Sequence, residues 1–188
     1  MIRIVNENDA EQLLKIYDYY VKNTAITFEY ETPSVDEFKI RICNTLKKYP
    51  YLVSERNNKI VGYCYAGAFH ERKAYDWAVE TSIYIDKEYH GLGLGKELYT
   101  ALEHALSLQN IINLNACIGY PQTEDKYLTK NSVQFHSHMG YRFVGEFYKC
   151  GYKFNRWYNM VYMEKCISDH SEKPDAIKKF PDVSEKIF

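Results

Sequence analysis

The sequence lacks the marks of several protein classes. Its five cysteines are widely spaced and include no CxxC pair, which argues against a zinc site and against a disulfide framework. No apolar run approaches the length of a membrane span. The first residues also lack the basic and long apolar regions of a signal peptide. We therefore expect reduced thiols and a cytoplasmic protein.

Charge and length narrow the possibilities further. The formal net charge is -1 at pH 7, which gives no electrostatic reason to expect nucleic acid or an anionic membrane as a partner. The 188 residues suffice for one domain with a substantial core and are too few for two ordinary ones. The abundant residue is tyrosine, with 19 copies. Tyrosines fit strands well, but they also line clefts, so the count alone decides nothing.

One stretch organises the rest of the chain. A predicted strand ends near Ile85, and a short turn leads to glycine at every second position, Gly91, Gly93 and Gly95, before a predicted helix. Without a Cβ atom, the backbone turns tightly and approaches a ligand closely. The helix that follows offers unpaired N–H groups and the positive end of its dipole. This arrangement predicts a site for a phosphate or pyrophosphate.

The spacing of this loop excludes two common phosphate-binding motifs. A dinucleotide-binding GxGxxG fingerprint fails because Lys96 stands where the third glycine is needed. A P-loop needs GxxxxGK followed by Ser or Thr. Counting back from Gly95 puts His90 at its first glycine, and Glu97 stands at its hydroxyl position.

Hydrophobic periodicity predicts an α+β or α/β domain built on one mixed, mainly antiparallel sheet. Asn8 or Asp9 is expected to cap a first helix that runs to about Lys22, and Ser34 to cap a second that stops before Pro50. A third predicted helix follows the glycine loop, and a fourth covers residues 131–139. The predicted strands cover residues 2–5, 51–55, 60–68, 79–85, 111–118, 141–148 and 157–165.

The composition changes near residue 166. Residues 167–188 are polar, contain two prolines and have few apolar side chains. We predict a domain over residues 1–166 and a polar tail over residues 167–188 that is either flexible or lies over the surface.

Several motifs accompany the glycine loop and carry a family resemblance. They are His90-Gly91-Leu92-Gly93-Leu94-Gly95, Ala74-Tyr75-Asp76-Trp77, Glu80-Thr81-Ser82-Ile83-Tyr84-Ile85, Tyr65-Ala66-Gly67 and Met139-Gly140-Tyr141. On these residues the chain resembles the GNAT superfamily of N-acetyltransferases, and within it the phosphinothricin and methionine sulfoximine acetyltransferase branch. The resemblance spans roughly residues 2–165. It departs from the family's loop pattern, Gln/Arg-x-x-Gly-x-Gly/Ala, at His90.

The resemblance implies the GNAT fold, in which helices flank a mixed central sheet and a splayed strand pair holds acetyl-CoA. Backbone groups of the strand before the loop would pair with the pantetheine arm, and loop amides would bind the pyrophosphate. A lysine at the position of Lys96 can add charge, but in a first helical turn it is often only solvated. The implied cofactor-binding residues are Ile83, Tyr84, Ile85, Gly91, Leu92, Gly93, Leu94, Gly95, Lys96, Asn131 and Phe135.

The resemblance also implies two catalytic residues. Acetyl transfer to an amine needs a base for the amine proton, and an acid assists departure of the thiolate. Glu80 matches the family's strand carboxylate and would act directly or through a water; the alternative is a glutamate on a solvated sheet face. His136 occupies the helix position of the acid. The alternatives for His136 are a surface histidine or one that only orders the thioester sulfur.

The implied acceptor is the α-amine of a small amino-acid-like molecule. Phe28, Arg72, Tyr75 and Trp77 would surround it, and the guanidinium of Arg72 suits a carboxylate or phosphinate. No metal is expected, and the branch suggests a homodimer. Two other functions stay open, namely a non-catalytic coenzyme A-binding or regulatory module and an acetyltransferase that acts on a peptide or protein amine.

Overall fold

The computed structural model describes residues 1–188, which fold into seven strands, four α-helices and five short 3₁₀ turns. The strands are β1 (Ile2–Ile4), β2 (Tyr51–Arg56), β3 (Lys59–Ala68), β4 (Ala78–Ile85), β5 (Asn113–Tyr120), β6 (Arg142–Lys153) and β7 (Arg156–Cys166). The helices are α1 (Ala10–Asn23), α2 (Val35–Leu46), α3 (Leu94–Leu108) and α4 (Asn131–His138). None of the helices is both long enough and apolar enough to cross a bilayer.

The strands form one sheet in the order β1-β2-β3-β4-β5-β7-β6, and only the β4–β5 pair is parallel. That pair is short. It begins with Ala78 opposite Asn113 and ends with Glu80 opposite Asn115. Beyond Glu80 the two strands diverge and leave a gap between residues 81–85 and 116–120. The prediction of a mixed, mainly antiparallel sheet with a splayed strand pair is confirmed.

Two apolar cores cover opposite faces of the sheet. Alternation along β4 places Val79, Thr81, Ile83 and Ile85 toward α3, and Glu80, Ser82 and Tyr84 toward α1 and α2. The α3 core is mainly aliphatic and includes Leu98, Leu102, Leu106, Ile111 and Leu114. The core under α1 and α2 is rich in tyrosine and includes Tyr17, Tyr20, Tyr51 and Tyr63. Each large aliphatic side chain buried in this way contributes about 1.5–3 kcal/mol.

The first helix begins differently from the prediction. Neither Asn8 nor Asp9 caps α1 with its side chain; Asn6 instead accepts a hydrogen bond from the Asn8 N–H at the start of a 3₁₀ turn that leads into α1. The Asp9 carboxylate is engaged elsewhere, because it accepts bonds from the Asn6 N–H and from the guanidinium of Arg3. At α2, the Ser34 hydroxyl accepts from the Glu37 N–H, as predicted.

Two hairpin turns fix the register of the antiparallel strands. Asn57 and Asn58 join β2 to β3 with φ values of 51° and 60°, which confirms the predicted turn. Phe154 and Asn155 join β6 to β7 with φ values of 51° and 57°. β6 continues to Lys153, five residues past its predicted end, through two irregularities in its pairing with β7.

The tail lies over the surface of α3 and is held there. The N–H of Lys178 donates to the Gln109 carbonyl at 3.0 Å, and the N–H of Phe180 donates to the Lys48 carbonyl at 3.1 Å. The Phe180 side chain is only 3% exposed and packs in a small apolar cluster with Ala105 and Ile187. The division between a domain at 1–166 and a tail at 167–188 stays a prediction.

Candidate active site

The gap between β4 and β5 encloses a cavity of about 60 Å³. Both strands, α3, α4 and the loop after α1 contribute to its lining. The lining residues include Ile26, Thr81, Ile83, Tyr84, Tyr99, Cys117, Ile118, Ser132 and His136. Three of the predicted site residues therefore meet at one cavity, namely Ile83 and Tyr84 of β4 and His136 of α4.

Every second residue of β4 directs its backbone groups into this gap. The Ala78 carbonyl and the Asp86 N–H both bond to backbone groups on the β3 side, so the even-numbered positions between them face β3. By this alternation Ile83 and Ile85 face the gap, and the backbone of Tyr84 faces β3. Ile83 lies past the last residue of β4 that pairs with β5, so its backbone is available to an extended ligand.

The three glycines of the loop have two different roles. Gly91 and Gly93 have φ values of 77° and 80°, and a Cβ atom at either would point into open space. They permit the turn. Gly95 is ordinary helix, but a Cβ there would lie 2.9 Å from the ring of Phe135. Gly95 therefore allows α4 to approach the first turn of α3.

The start of α3 is open. Its N-cap residue is Gly93, which has no side chain to cap the helix, whereas Ser34 caps α2. The first intrahelical bond recorded there runs from the Glu97 N–H to the Gly93 carbonyl at 3.2 Å. The preceding N–H groups, at residues 94–96, lack intrahelical acceptors. Together with the exposed side chain of Lys96, they form a suitable anion site.

His90, the departure from the family's loop pattern, has a structural partner. Its Nε2 lies 2.9 Å from the hydroxyl of Tyr20 on α1 and 3.1 Å from the carbonyl of Ile85. The Tyr20 hydroxyl also donates to that carbonyl. His90 thus ties the start of the glycine loop to α1 and to the end of β4.

Glu80 stands beside the closed end of the gap without a partner. Its side chain is half-buried and forms no ion pair or side-chain hydrogen bond. Burial raises the pKa of the Glu80 carboxyl above its usual value, and the nearby His70 opposes that shift. A carboxylate with a raised pKa and free lone pairs has the properties of a general base.

The opposite side of the gap holds a hydrogen-bonded network. His136 is 3% exposed, and its Nδ1 lies 2.7 Å from the Ser132 carbonyl. A carbonyl only accepts, so Nδ1 carries the proton, and Nε2 accepts from the Tyr99 hydroxyl at 3.1 Å. The Tyr99 hydroxyl also lies 3.3 Å from Thr81 Oγ1. Burial lowers the pKa of His136 to about 4, so its imidazole is neutral near pH 7.

Tyr99 is the residue of this gap that the sequence analysis missed. It lies on the buried side of α3 next to Leu98 and is 1% exposed. A tyrosine beside a core stripe was a usable signal, because a buried phenol usually finds a hydrogen-bond partner. Its partner, His136, is distant in the sequence and could not be read from a pattern.

The four predicted acceptor residues do not share one cavity. Tyr75 and Trp77 line a second cavity of about 650 Å³. The Trp77 Nε1 donates to the Asp175 carbonyl in the tail at 2.8 Å. Arg72 is exposed and has no ion-pair partner. Phe28 packs on the backbone of Gly151.

Asn131, a predicted cofactor residue, is exposed at the start of α4.

Glu80 is near residues of both this second cavity and the gap. Tyr162 lines the second cavity, and its cross-strand partner Cys117 lines the gap. Burial and, next, the charge of Glu80 raise the pKa of the Cys117 thiol to about 11. Burial, Cys117 and Glu80 raise the pKa of Tyr162 to about 12. The carboxylate is therefore close to one residue of each cavity, although Glu80 itself lines neither.

Comparison with known proteins agrees with this arrangement. The family model described as an acetyltransferase (GNAT) domain matches residues 2–162. The chain belongs to the GNAT family. This confirms the family resemblance of the motifs, and the curated relatives fall in the same branch.

Two of those relatives illustrate the branch. The chain is 29% identical over 164 residues to the phosphinothricin N-acetyltransferase of Streptomyces viridochromogenes, covering 87% of this chain and 86% of the relative. It is 26% identical over 187 residues to the L-methionine sulfoximine/L-methionine sulfone acetyltransferase of Salmonella typhimurium, covering 93% and 98%.

A solved structure shows the same fold. It is a GNAT superfamily phosphinothricin acetyltransferase from Sinorhizobium meliloti in complex with AcCoA, with a TM-score of 0.83 and 27% sequence identity. The similarity covers 96% of this chain and 97% of that one. The GNAT fold predicted from the motifs is confirmed.

Proposed function

We propose that this GNAT protein transfers an acetyl group from acetyl-CoA to the α-amine of a small amino-acid-like acceptor. Phosphinothricin, methionine sulfoximine and methionine sulfone are the acceptor types that the names of its relatives suggest. The observation that carries the proposal is the half-buried, unpaired carboxylate of Glu80 beside the splay of β4 and β5.

The residues around the gap fit acetyl-CoA. The backbone of Ile83 has no strand partner on the β5 side, so the pantetheine arm can pair with it in the way that an added strand would. Tyr84 and Ile85 lie beside it. The amides of residues 91–96 suit the pyrophosphate, and Phe135 of α4 contacts the first turn of α3 at Gly95. Asn131, exposed at the start of α4, is proposed as a further contact of the cofactor. When bound, acetyl-CoA supplies an activated acetyl thioester.

Glu80 is proposed as the base. A protonated amine is not a nucleophile, so the acceptor must lose a proton before its nitrogen bonds to the acetyl carbon. Glu80 takes that proton directly or through one water. Burial raises the pKa of the Glu80 carboxyl, which brings this group closer to the basicity that proton transfer from an amine requires.

The leaving sulfur requires a donor on the other side of the gap. The prediction that His136 is the acid stays a prediction. A pKa of about 4 leaves little imidazolium at neutral pH, so we propose that His136 acts through Tyr99. Burial keeps the Tyr99 hydroxyl protonated, because its pKa is raised well above 10. As the C–S bond breaks, this hydroxyl turns its single proton from His136 Nε2 to the leaving sulfur and donates a hydrogen bond there. The thiolate then takes a proton from solvent and leaves as the thiol.

The acceptor is proposed to reach Glu80 from the second cavity. Tyr75 and Trp77 line that cavity and would contact its apolar part. The free guanidinium of Arg72 lies three residues before Tyr75 and would pair with the acceptor's carboxylate or phosphinate. Phe28 would contact the acceptor from the loop after α1.

The proposed assembly is a homodimer. β6 is an edge strand, and it and the start of β7 expose large apolar side chains. These are Phe143, Val144, Phe147, Tyr148, Tyr152 and Trp157. Such a patch on an edge strand favours burial by a partner. Analytical ultracentrifugation tests this, and a protein that stays monomeric at micromolar concentration contradicts it.

A thiol-release assay with acetyl-CoA tests the proposed function over a panel of amino acids and peptides. We expect turnover of methionine sulfoximine, methionine sulfone or phosphinothricin, and none of their N-acetylated forms. Calorimetric binding of acetyl-CoA without turnover of any amine would instead support a non-catalytic module. Turnover of peptide amines alone would support a peptide acetyltransferase.

A further inference from the structure

The segment of residues 24–32, here called the acceptor loop, is held by three successive residues at the end of β6. Gly151 lies under the ring of Phe28, which a Cβ atom at that position would overlap. The Tyr152 carbonyl accepts a hydrogen bond from the hydroxyl of Tyr30. The Lys153 Nζ donates to two backbone carbonyls of the loop, those of Thr24 and Thr27. The end of β6 therefore determines the shape of the acceptor loop.

Lys153 is the unusual member of this set. Its side chain is 3% exposed, and its Nζ lies 2.9 Å from the Thr24 carbonyl and 2.7 Å from the Thr27 carbonyl. It has no ion-pair partner within 4.0 Å. Burying an ammonium without a carboxylate is costly, and burial lowers the pKa of Lys153 to about 8. The two carbonyl bonds offset that cost only while the loop keeps its shape.

The acceptor loop reaches the gap. Ile26 lines the gap cavity, and the Ala25 carbonyl lies 2.8 Å from where a Cβ of Gly119 on β5 would stand. The N–H of Ala25 donates to the Tyr127 carbonyl in the loop before α4 at 3.0 Å. A shift of the acceptor loop would therefore change the mouth of the gap and the position of Phe28.

We propose that Lys153 is a positioning residue for the acceptor amine: by fixing the loop that carries Phe28, it affects the affinity for the acceptor more than the affinity for acetyl-CoA. This inference rests on the proposed function.

The charged and titratable groups around Lys153 come from several elements. Glu29 of the loop favours the ammonium form and is itself paired with Arg41 of α2 at 2.8 Å. The hydroxyl of Tyr17 on α1 bonds to Thr27 Oγ1 at 2.9 Å. Arg156, at the β6–β7 hairpin, pairs with Asp125 of the loop before α4. As pH rises through about 8, the ammonium becomes an amine, which is a weaker donor and loses its attraction to Glu29.

The test compares Lys153→Met with Lys153→Arg in the full-length protein. Loss of two hydrogen bonds predicts a rise of about tenfold in the KM for the acceptor, with kcat and the KM for acetyl-CoA within about twofold of wild type. Lys153→Arg should recover part of the loss. The ratio of wild-type to Lys153→Met kcat/KM should shrink above pH 8. Lys149→Met, an exposed lysine on the same strand, is the control and should behave as wild type.

A second variant keeps the inference testable if Lys153→Met does not fold. Gly151→Ala displaces Phe28 without removing charge, and it should also raise the acceptor KM selectively. A folded Lys153→Met with unchanged acceptor KM overturns the inference, as does an equal change in both KM values. If wild type turns over no acceptor, the proposed function fails. Amide hydrogen exchange at residues 25–30, expected to be faster in Lys153→Met, then still tests whether Lys153 fixes the loop, and unchanged exchange refutes it.

Discussion

The two sides of the gap between β4 and β5 are built in opposite ways. On one side, Glu80 is half-buried and has no hydrogen-bond or ion-pair partner. On the other, the buried Tyr99 hydroxyl lies between His136 Nε2, to which it donates, and Thr81 Oγ1, and the Thr81 hydroxyl donates to the Asn115 carbonyl. The parallel pairing of β4 with β5 comprises only three residue pairs, and the splay begins directly after Glu80.

This difference indicates that the two sides have different roles in the reaction. A carboxylate without partners has its pKa set mainly by burial and keeps its lone pairs for a substrate proton. A satisfied network has fixed geometry but little freedom to exchange protons, so it suits stabilisation of charge at a defined point. We therefore expect substitutions on the Glu80 side to affect proton transfer, and substitutions on the Tyr99 side to affect geometry and stability.

The largest effect is expected from Glu80→Gln. The amide is nearly isosteric but cannot accept the amine proton, so kcat/KM for the acceptor should fall by about 10²-fold or more. Binding of acetyl-CoA, measured by calorimetry, should be unchanged. Glu88→Gln, an exposed glutamate just after β4, is the control. A Glu80→Gln enzyme with wild-type kcat/KM would remove Glu80 from the mechanism.

A smaller effect is expected from Tyr99→Phe. Loss of one hydrogen bond to the leaving sulfur predicts a fall in kcat of about tenfold with little change in either KM. Tyr141→Phe is the matched control, because its hydroxyl also lies 3.3 Å from Thr81 Oγ1 but Tyr141 does not line the gap. Equal losses of kcat in the two variants would show that only the network's structure matters.

The smallest effect on catalysis, but a clear effect on stability, is expected at His136. Its folded-state pKa of about 4 lies below the usual 6.5, so the unfolded chain binds the extra proton between these values. Above pH 6.5 the imidazole is neutral in both the folded and the unfolded chain, so its protonation does not reduce the free energy of unfolding there. As pH falls toward 4, roughly 3 kcal/mol of the free energy of unfolding is lost. Urea titrations at several pH values should show this slope in wild type and a flatter one in His136→Asn.

The sequence was informative where function depends on local backbone pattern. Alternation along β4 placed Glu80 and Tyr84 on one face, and the two asparagines of the first hairpin indicated their turn. The open start of α3 followed from glycine spacing alone. The approach of Phe135 to Gly95 was not predictable in the same way, because it joins two helices distant in the sequence.

The parts that sequence could not supply are specific side-chain pairings, most of them over long separations. Asp9 was expected to be a helix cap, but a nearby strand arginine, Arg3, takes its carboxylate. The Tyr99–His136 bond spans 37 residues, and the bonds of Lys153 to the acceptor loop span more than 120. Neither composition nor periodicity contains such information, since it depends on how the strands and helices pack.

The most direct test of the account is the pH dependence of the ratio of kcat/KM between wild type and Glu80→Gln for one acceptor. Taking the ratio cancels the titration of the acceptor's own amine. We predict a ratio that is small in acid, rises as pH passes upward through the raised pKa of Glu80 and reaches a plateau above that pKa. A ratio that stays constant across this range would contradict Glu80 as the base.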